Sequence, residues 1–452
     1  MRSPGRSRSM CEWDDFAEDA KSLERLLDAD GSGALPPFLL LSQPGVGAGD
    51  QRRCSELWTR DRRAAAATER RSLDFRFRAA GERKIKIGYL SNDFHDHATA
   101  LLLIETLEAH DRERFSVNAY SYGADDGKAM RRRLVEAFDS FVDISGLSDG
   151  EAARAIHRDE VDILIDLKGF TANARSGILM LRPAPLQVNY LGYPGTLGAE
   201  LCDYIITDDY VTPPASAADY SESFAYMPHS YQPRGRAGPI GPKPTRASMG
   251  LPEQGVVFCC FNQAYKFTPE MFDLWCRLLD AAPGSVLWLL AAPSAEGNLR
   301  NEAWKRGVNG NRLVFAPDLA QGAHLARLQL ADLVLDTAPY NAHTTASDAL
   351  WAGVPIVTCS GSTFPSRVAG SLLRAVGLSE LIAVDFDDYF DLAYRLATDP
   401  AGLAEIKAKL ARNRPTAALF DVVAYTRDLE GLYQSMWKRR SAGLSPALIP
   451  TA

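Results

Sequence analysis

From Lys84 onward the chain alternates short, almost wholly apolar runs with segments of helical periodicity. KIKIGYL, FSVNAYSY, FVDIS and VDILIDL read as buried strands. Residues 100–109, 130–138 and 152–158, with apolar side chains three and four apart, read as the helices between them. LQVNYLGYPG and DYIITDDY continue the series. Strands alternating with helices predict a parallel sheet with right-handed crossovers. Residues 231–250 interrupt the pattern with four prolines and four glycines, which reads as a linker. The alternation then restarts: VVFCCF, SVLWLLA, RLVFAP, LVLDT and PIVTC as strands, and residues 269–281, 323–330, 344–352, 367–376 and 389–398 as helices. The first of these helices opens with Thr268 as cap and Pro269 at its first position. Upstream, residues 14–27 and 60–71 carry helical patterning on either side of the turn-forming DADGSGALPP. The expectation is an α/β protein of two Rossmann-like, doubly wound lobes with a short helical lead segment. Its parts are residues 1–80 (lead segment), 81–232 (first lobe), 233–250 (linker), 251–420 (second lobe) and 421–452 (C-terminal helix and tail). Ligands of such lobes bind at the carboxyl ends of the strands. Sugar-nucleotide transferases, epimerases and phosphorylases all fit that frame, so the fold does not choose among them.

Composition narrows the picture little but usefully. With 46% hydrophobic and 24% charged residues, the 452-residue chain is globular. A net charge of −7 argues against sequence-independent nucleic-acid binding, which needs a basic footprint. The longest apolar runs, such as VLWLLAA, fall far short of the roughly 20 residues of a membrane span. Neither a nucleic acid nor a membrane is expected as a partner. Seven cysteines without a C-x-x-C pair suggest buried thiols in a reducing compartment. The start MRSPGRSRSM runs into the acidic CEWDDFAEDA without an apolar stretch, which reads as no signal peptide and a cytoplasmic protein.

Polar residues stand where the predicted strands end. LVLDTAPYNAHTTASDALWAG runs from a strand ending at Asp336 into a helix that starts at Thr344 and Thr345. The free N–H groups and positive dipole end of such a helix suit phosphates. Asp348, one turn in, can accept hydrogen bonds from ribose hydroxyls. The layout suits a nucleoside diphosphate, and an ordinary capped helix with a stray histidine is the plain alternative. CCFNQAYKFTPE sets Asn262, Gln263 and Lys266 between a strand and a helix, where a lysine can neutralise a leaving diphosphate; a surface lysine is the plain alternative. The seven histidines add weight. His97 follows the first strand, His229 stands in AYMPHS, His324 opens a helix and His343 precedes the phosphate-type helix. His157 reads as a packed helix residue and His110 as plain surface. A metal is not expected: His95 and His97 lack further ligands, Asp162 and Asp166 are wrongly spaced for an Asp-x-Asp pair, and Asp385 and Asp387 read as helix-terminal charge.

LSNDFHDHATA, LRPAPLQVNYLGYPGT, DYIITD, SESFAYMPHS, FNQAYKFTP, LADLVLDTAPYNAHTT and DALWAGVPIVT resemble, in order, the catalytic region of the protein O-linked N-acetylglucosamine transferase family, which includes SPINDLY-type proteins. The similarity runs from about Cys11 to Trp437. It implies a GT-B type fold and an inverting, metal-independent transfer of N-acetylglucosamine from UDP-GlcNAc to Ser/Thr hydroxyls of intracellular proteins, with no cofactor beyond that donor substrate. By resemblance, His97 is the active-site histidine, base or donor-contacting group, and Lys266 stands on the leaving diphosphate with Gln263 beside it. His324 and Arg327 are the uracil-side pair, His343, Thr344 and Thr345 the phosphate loop, and Asp348 the ribose acid. Gly192, Tyr193, Pro194 and Gly195 form the sugar-side loop, and His229 belongs to the interlobe motif. His157 matches a histidine once proposed as catalytic. Two departures stand out. The family's 34-residue helical repeats, which bind acceptor proteins, do not occur in residues 1–80, so a separate repeat-bearing adaptor is one route to acceptors. Gln321 stands where the family carries a lysine near the base, which keeps GDP-fucose, the donor of SPINDLY-type relatives, as an alternative. A sugar-nucleotide hydrolase or epimerase and a non-catalytic nucleotide-sugar-binding partner are the other rivals.

Overall fold

The computed structural model describes residues 8–28, 35–78, 83–236, 238 and 240–451. Most of the predicted break DADGSGALPP therefore lies outside the described residues. The chain divides into two units. The N-terminal unit comprises the described residues within 26–41, 46–235 and 421–452. The C-terminal unit comprises the described residues up to Arg25, then 42–45 and 236–420. The lead segment is thus shared between the units instead of standing apart, and the C-terminal helix belongs with the N-terminal sheet.

In the N-terminal unit, the described strands are β1 (Ile85–Ser91), β2 (Phe115–Ser121), β3 (Ser140–Asp143), β4 (Ile163–Asp166), β5 (Leu186–Asn189), β6 (Tyr204–Thr207) and β7 (Ser223–Tyr226). They form one sheet in the order 3-2-1-4-5-6-7, parallel throughout. β4, β5 and β6 are buried on both faces, which is why they read as unbroken apolar runs and not as alternating ones. The helices of this unit include α2 (Ala48–Leu73), α3 (Ala98–Ala109), α4 (Ala129–Ala137), α5 (Asp149–Arg158), α6 (Ser176–Met180) and α14 (Val422–Ser441). α2 extends twelve residues upstream of its predicted start at 60, and α1 (Phe16–Asp28) precedes it in the chain. α5 begins at a capping box in which Ser148 accepts from the Glu151 N–H while Glu151 reaches back to the Ser148 N–H.

His110 is a correction to the sequence reading. It is not a surface residue: its side chain is fully buried between β1 and α14, with Nδ1 2.9 Å from Glu430 Oε1 and Nε2 2.9 Å from Tyr89 Oη. Pattern could not show this, because the partner that satisfies the ring lies 320 residues away in sequence.

In the C-terminal unit, β8 (Val257–Cys260), β9 (Val286–Leu289), β10 (Leu313–Phe315), β11 (Leu333–Leu335), β12 (Ile356–Cys359) and β13 (Ile382–Ala383) form a parallel sheet in the order 10-9-8-11-12-13. The connecting helices are α7 (Pro269–Ala281), α8 (Pro293–Lys305), α9 (Gln321–Leu328), α10 (Thr344–Ala352), α11 (Val368–Ala375), α12 (Phe386–Thr398) and α13 (Pro400–Asn413). The predicted cap of α7 forms, with Thr268 Oγ1 accepting from the Met271 N–H at 3.2 Å. α8 and α13 were not anticipated. All seven cysteines are buried and unpaired.

Both sheets reverse their winding between the first and fourth strands, β1/β4 in one unit and β8/β11 in the other. At such switch points the two flanking loops diverge and leave a crevice at the carboxyl ends. Of the residues singled out in the sequence, His97 follows β1, Gln263 and Lys266 follow β8, and His343, Thr344, Thr345 and Asp348 follow β11.

Candidate functional site

In the C-terminal unit the loops after β8 and β11 meet around Lys266. The loop after β8 closes in a short 3-10 turn, Ala264–Lys266, which carries the lysine inward until only 7% of it is exposed. Its Nζ donates to the Asn341 carbonyl at 2.7 Å and lies 3.9 Å from the Tyr340 ring centroid. Burial lowers the proton affinity of this amine, and the charge of Asp336 works the other way. Asp336, at the end of β11, is buried beneath it, and burial pushes its carboxyl upward. Four donors reach that carboxylate: Thr358 Oγ1 at 2.6 Å, the Thr337 N–H at 2.7 Å, the Ala342 N–H at 2.6 Å and, at 3.4 Å, Asn262 Nδ2. Asn262 ties the two loops together, its Nδ2 donating to Thr337 Oγ1 at 2.8 Å. Thus Lys266 is a buried cation poised by a buried acid and a carbonyl, not a surface lysine.

The same β11 loop delivers His343 to the N-cap of α10. Burial and the nearby Lys266 charge hold the His343 imidazole well below its ordinary pKa, so the ring is neutral. Thr344 and Thr345 form the half-buried first turn of α10, while the N–H groups of Ala346 and Ser347 return to the His343 carbonyl. Asp348, one turn further, is buried and accepts from Gln321 Nε2 at 3.1 Å. The residue that departs from the family pattern therefore holds the predicted ribose acid.

His324 and Arg327 stand one turn apart on α9, Arg327 Nη2 2.8 Å from His324 Nδ1. Arg327 is wholly buried, stacked 4.5 Å from the Phe261 ring centroid and bonded to the Pro317 carbonyl. It orients His324 from behind and presents no open surface. An arginine donating to Nδ1 leaves the His324 ring proton on Nε2, and burial lowers its pKa to about 4. Gln263 is exposed and lines a cavity of about 640 Å³ at the carboxyl ends of β8, β9 and β10, with Tyr265, Ala292, Phe315 and Pro317.

In the N-terminal unit the switch point carries a second cluster. His97 caps α3, its Nδ1 accepting from the Thr99 N–H at 3.2 Å. Asp93 Oδ2 lies 3.5 Å from the same nitrogen. Asp93 is itself gripped at both oxygens by Lys168 Nζ, at 2.8 and 2.9 Å, in a pair whose side chains are each 6% exposed. Asp166, at the end of β4, accepts from the N–H groups of Gly169 and Lys168 at 2.7 and 3.3 Å, and burial raises its pKa to about 6. The loop after β5 packs against this one: a Cβ on Gly192 would stand 1.8 Å from the Leu167 carbonyl oxygen. Tyr193 and Pro194 are buried in that loop, and the Gly195 carbonyl accepts from Asn189 Nδ2 at 2.8 Å. His229 follows β7 and is exposed.

His157 is not brought to either cluster. It ends α5, ahead of β4, at the amino edge of the sheet, where it stacks on Phe75 at 4.3 Å. Asp385 caps α12 through the Asp388 N–H at 2.8 Å, while Asp388 accepts from the Val384 N–H at 3.0 Å. Sequence reasoning marked Asp336 only as a strand end and weighed Asp166 only as half of a metal pair, and it gave Asp93 and Lys168 no role. The available signal was position: SND, IDLKG and LDT each put an acid at the carboxyl end of a central strand.

Comparison with known proteins gives the family and the fold. A family model described as Glycosyl transferase family 41 matches residues 65–233 and 242–429. An Arabidopsis thaliana protein named "Probable UDP-N-acetylglucosamine–peptide N-acetylglucosaminyltransferase SEC" is 38% identical over 377 residues, 82% of this chain and 39% of that protein. The Caenorhabditis elegans UDP-N-acetylglucosamine–peptide N-acetylglucosaminyltransferase is 33% identical, over 82% of this chain and 42% of its own. This chain therefore spans about two fifths of the curated relatives it matches. The structure of a mutant Thermobaculum terrenum O-GlcNAc transferase superposes with a TM-score of 0.77 at 28% identity, covering 97% of this chain and 90% of that one. With two parallel α/β units of GT-B type and a family model matched over most of its length, the chain belongs to glycosyl transferase family 41.

Proposed function

We propose that this chain is an inverting glycosyltransferase that moves N-acetylglucosamine from UDP-GlcNAc to Ser/Thr hydroxyls of proteins, without a metal ion. One observation carries the reading: Lys266 is a buried, loop-braced cation beside the N-terminus of α10. A cation and a helix dipole preorganised in this way stabilise the charge that gathers on a leaving diphosphate. The relatives named as peptide N-acetylglucosaminyltransferases supply the donor and acceptor classes.

In the reaction, the acceptor hydroxyl oxygen forms a bond to the anomeric carbon as the bond to the β-phosphate oxygen breaks. UDP departs with the electron pair, and the hydroxyl proton passes to a base or to the departing phosphate. Gln263 and His324 serve the uracil side, with Arg327 behind His324. Asp348, oriented by Gln321, serves the ribose, and His343, Thr344 and Thr345 serve the phosphates. Lys266 develops its strongest interaction as the leaving charge forms, so it lowers the barrier and not merely the donor Kd. In the N-terminal unit, His97 serves the sugar side, with the Gly192–Gly195 loop bracing its neighbours.

The test incubates the purified chain with sugar-labelled UDP-GlcNAc and a protein lysate, in excess EDTA, with GDP-fucose in a parallel arm. Labelled protein from UDP-GlcNAc supports the proposal. Free sugar alone would make the chain a hydrolase, label from GDP-fucose alone a fucosyltransferase, and no turnover a binding partner. Activity lost to EDTA and restored by Mn²⁺ would overturn the metal-independent part.

A further inference from the structure

The loops after β1 and β4 place three ionisable groups in line: Lys168 from the second, Asp93 and His97 from the first. The histidine's Nδ1 accepts the Thr99 N–H as the cap of α3. A nitrogen that accepts a hydrogen bond carries no proton, so the ring proton of the neutral imidazole sits on Nε2. Asp93 competes for the same Nδ1. Its Oδ2 lies 3.5 Å away, just beyond hydrogen-bond range, and a free buried carboxylate there would draw the proton to Nδ1. That arrangement would turn Nε2 into a bare base, as a carboxylate does behind a catalytic histidine.

We infer that Lys168 is a positioning residue for the reaction: by gripping both oxygens of Asp93 it withholds that carboxylate from His97, so the ring stays in the capping tautomer and offers Nε2–H as a hydrogen-bond donor instead of a base. The grip is rigid. Lys168 follows β4 directly, its own N–H is tied to Asp166, and the backbone beside it is packed against Gly192. The opposing loop is pinned by Arg131, whose Nη1 donates to the Phe94 carbonyl at 2.9 Å. The other charged neighbours do not reverse the sense. His95 lies 5.6 Å from His97, ring to ring, and Asp96 is paired with Lys128 at 3.0 Å. Burial, Lys168 and His95 all lower the proton affinity of His97, against the single opposing charge of Asp93. The consequence for catalysis rests on the proposed transferase reading: His97 binds an oxygen of the donor, and the hydroxyl proton of the acceptor leaves by another route.

The test needs no turnover. Histidine-labelled, deuterated full chain is studied by long-range ¹H–¹⁵N NMR, with the His97 signals assigned by His97→Gln. Wild type is expected to show a pyridine-type Nδ1 and a pyrrole-type Nε2. In Lys168→Met the tautomer is expected to switch to Nδ1–H, with the His97 titration moved up by about one unit, a tenfold change in proton affinity. Lys168→Gln, which keeps one donor toward Asp93, guards against a misfolded Lys168→Met and should shift the same way by less. The double variant Asp93→Asn/Lys168→Met has no carboxylate left to compete and should retain Nε2–H. An Nδ1–H tautomer in wild type, or a tautomer and titration unmoved by both single variants, overturns the inference. These results stand whether or not the chain transfers sugar, so failure of the tautomer claim is separable from failure of the proposed function.

Discussion

Lys266 is defined by its surroundings more than by its type. An exposed lysine at this point of the chain would be a solvated point charge of little consequence. Here the turn after β8 buries it, and Asn341 and Tyr340 fix its amine. Because the cation is preorganised, Lys266→Ala should lower kcat by about 10²-fold or more, with a smaller change in donor Kd. Steady-state kinetics together with calorimetric donor titration would check this, and near-wild-type kcat would remove Lys266 from the transition state. Residue type and place were legible here: a lysine, a histidine and two threonines stand, as the sequence reading had them, between a strand and a helix. What was not legible was which of them faces outward. Arg327 and Tyr193 are binding residues by resemblance, and in the structure both side chains are buried.

At the scale of elements, the loops after β4 and β5 work as one piece. Gly192 is needed because the Leu167 carbonyl occupies the space of any side chain there. Gly192→Ala must push the β4 loop away, and overpacking of this kind costs about 1–3 kcal/mol. Urea unfolding should show that loss, and an unchanged midpoint would mean the loops give way freely. Most strands of both sheets were readable because strands buried on both faces are continuous apolar runs, whereas the short edge strands β7 and β13 were not read. α8 escaped notice because PSAEGNLRNEAWK puts a glycine in the middle of a largely polar stretch. It is held by Leu299 and Ala303, which are fully buried against its unit, and not by propensity.

For the molecule as a whole, the path of the chain matters more than its order. α14 lies last but belongs to the N-terminal unit, where Tyr433, Leu429 and Met436 are fully buried. Tyr425 Oη stands 2.5 Å from Tyr190 Oη, and Tyr433 Oη 3.0 Å from Tyr89 Oη. Ending the chain at Phe420 would strip this face and leave His110 without Glu430. A 1–420 truncation should therefore lose the cooperative unfolding of the N-terminal unit, seen as a missing transition in near-UV circular dichroism. A soluble truncation that keeps both transitions would show that α14 is dispensable.

The sequence alone determined the α/β class, the restart after the Pro/Gly segment, and the polar residues that end the central strands. Those follow from hydrophobic period and turn chemistry, which are local properties. Tertiary structure alone decided that the described residues up to Arg25 join the C-terminal unit, that His110 is buried and that His157 lies at the sheet's amino edge. It alone joined Lys168 to Asp93 across 75 positions and Asp336 to Thr358 across 22. A buried charge has no local signature: whether it is paired depends on which strand the sheet order sets beside it, and only the folded chain fixes that order.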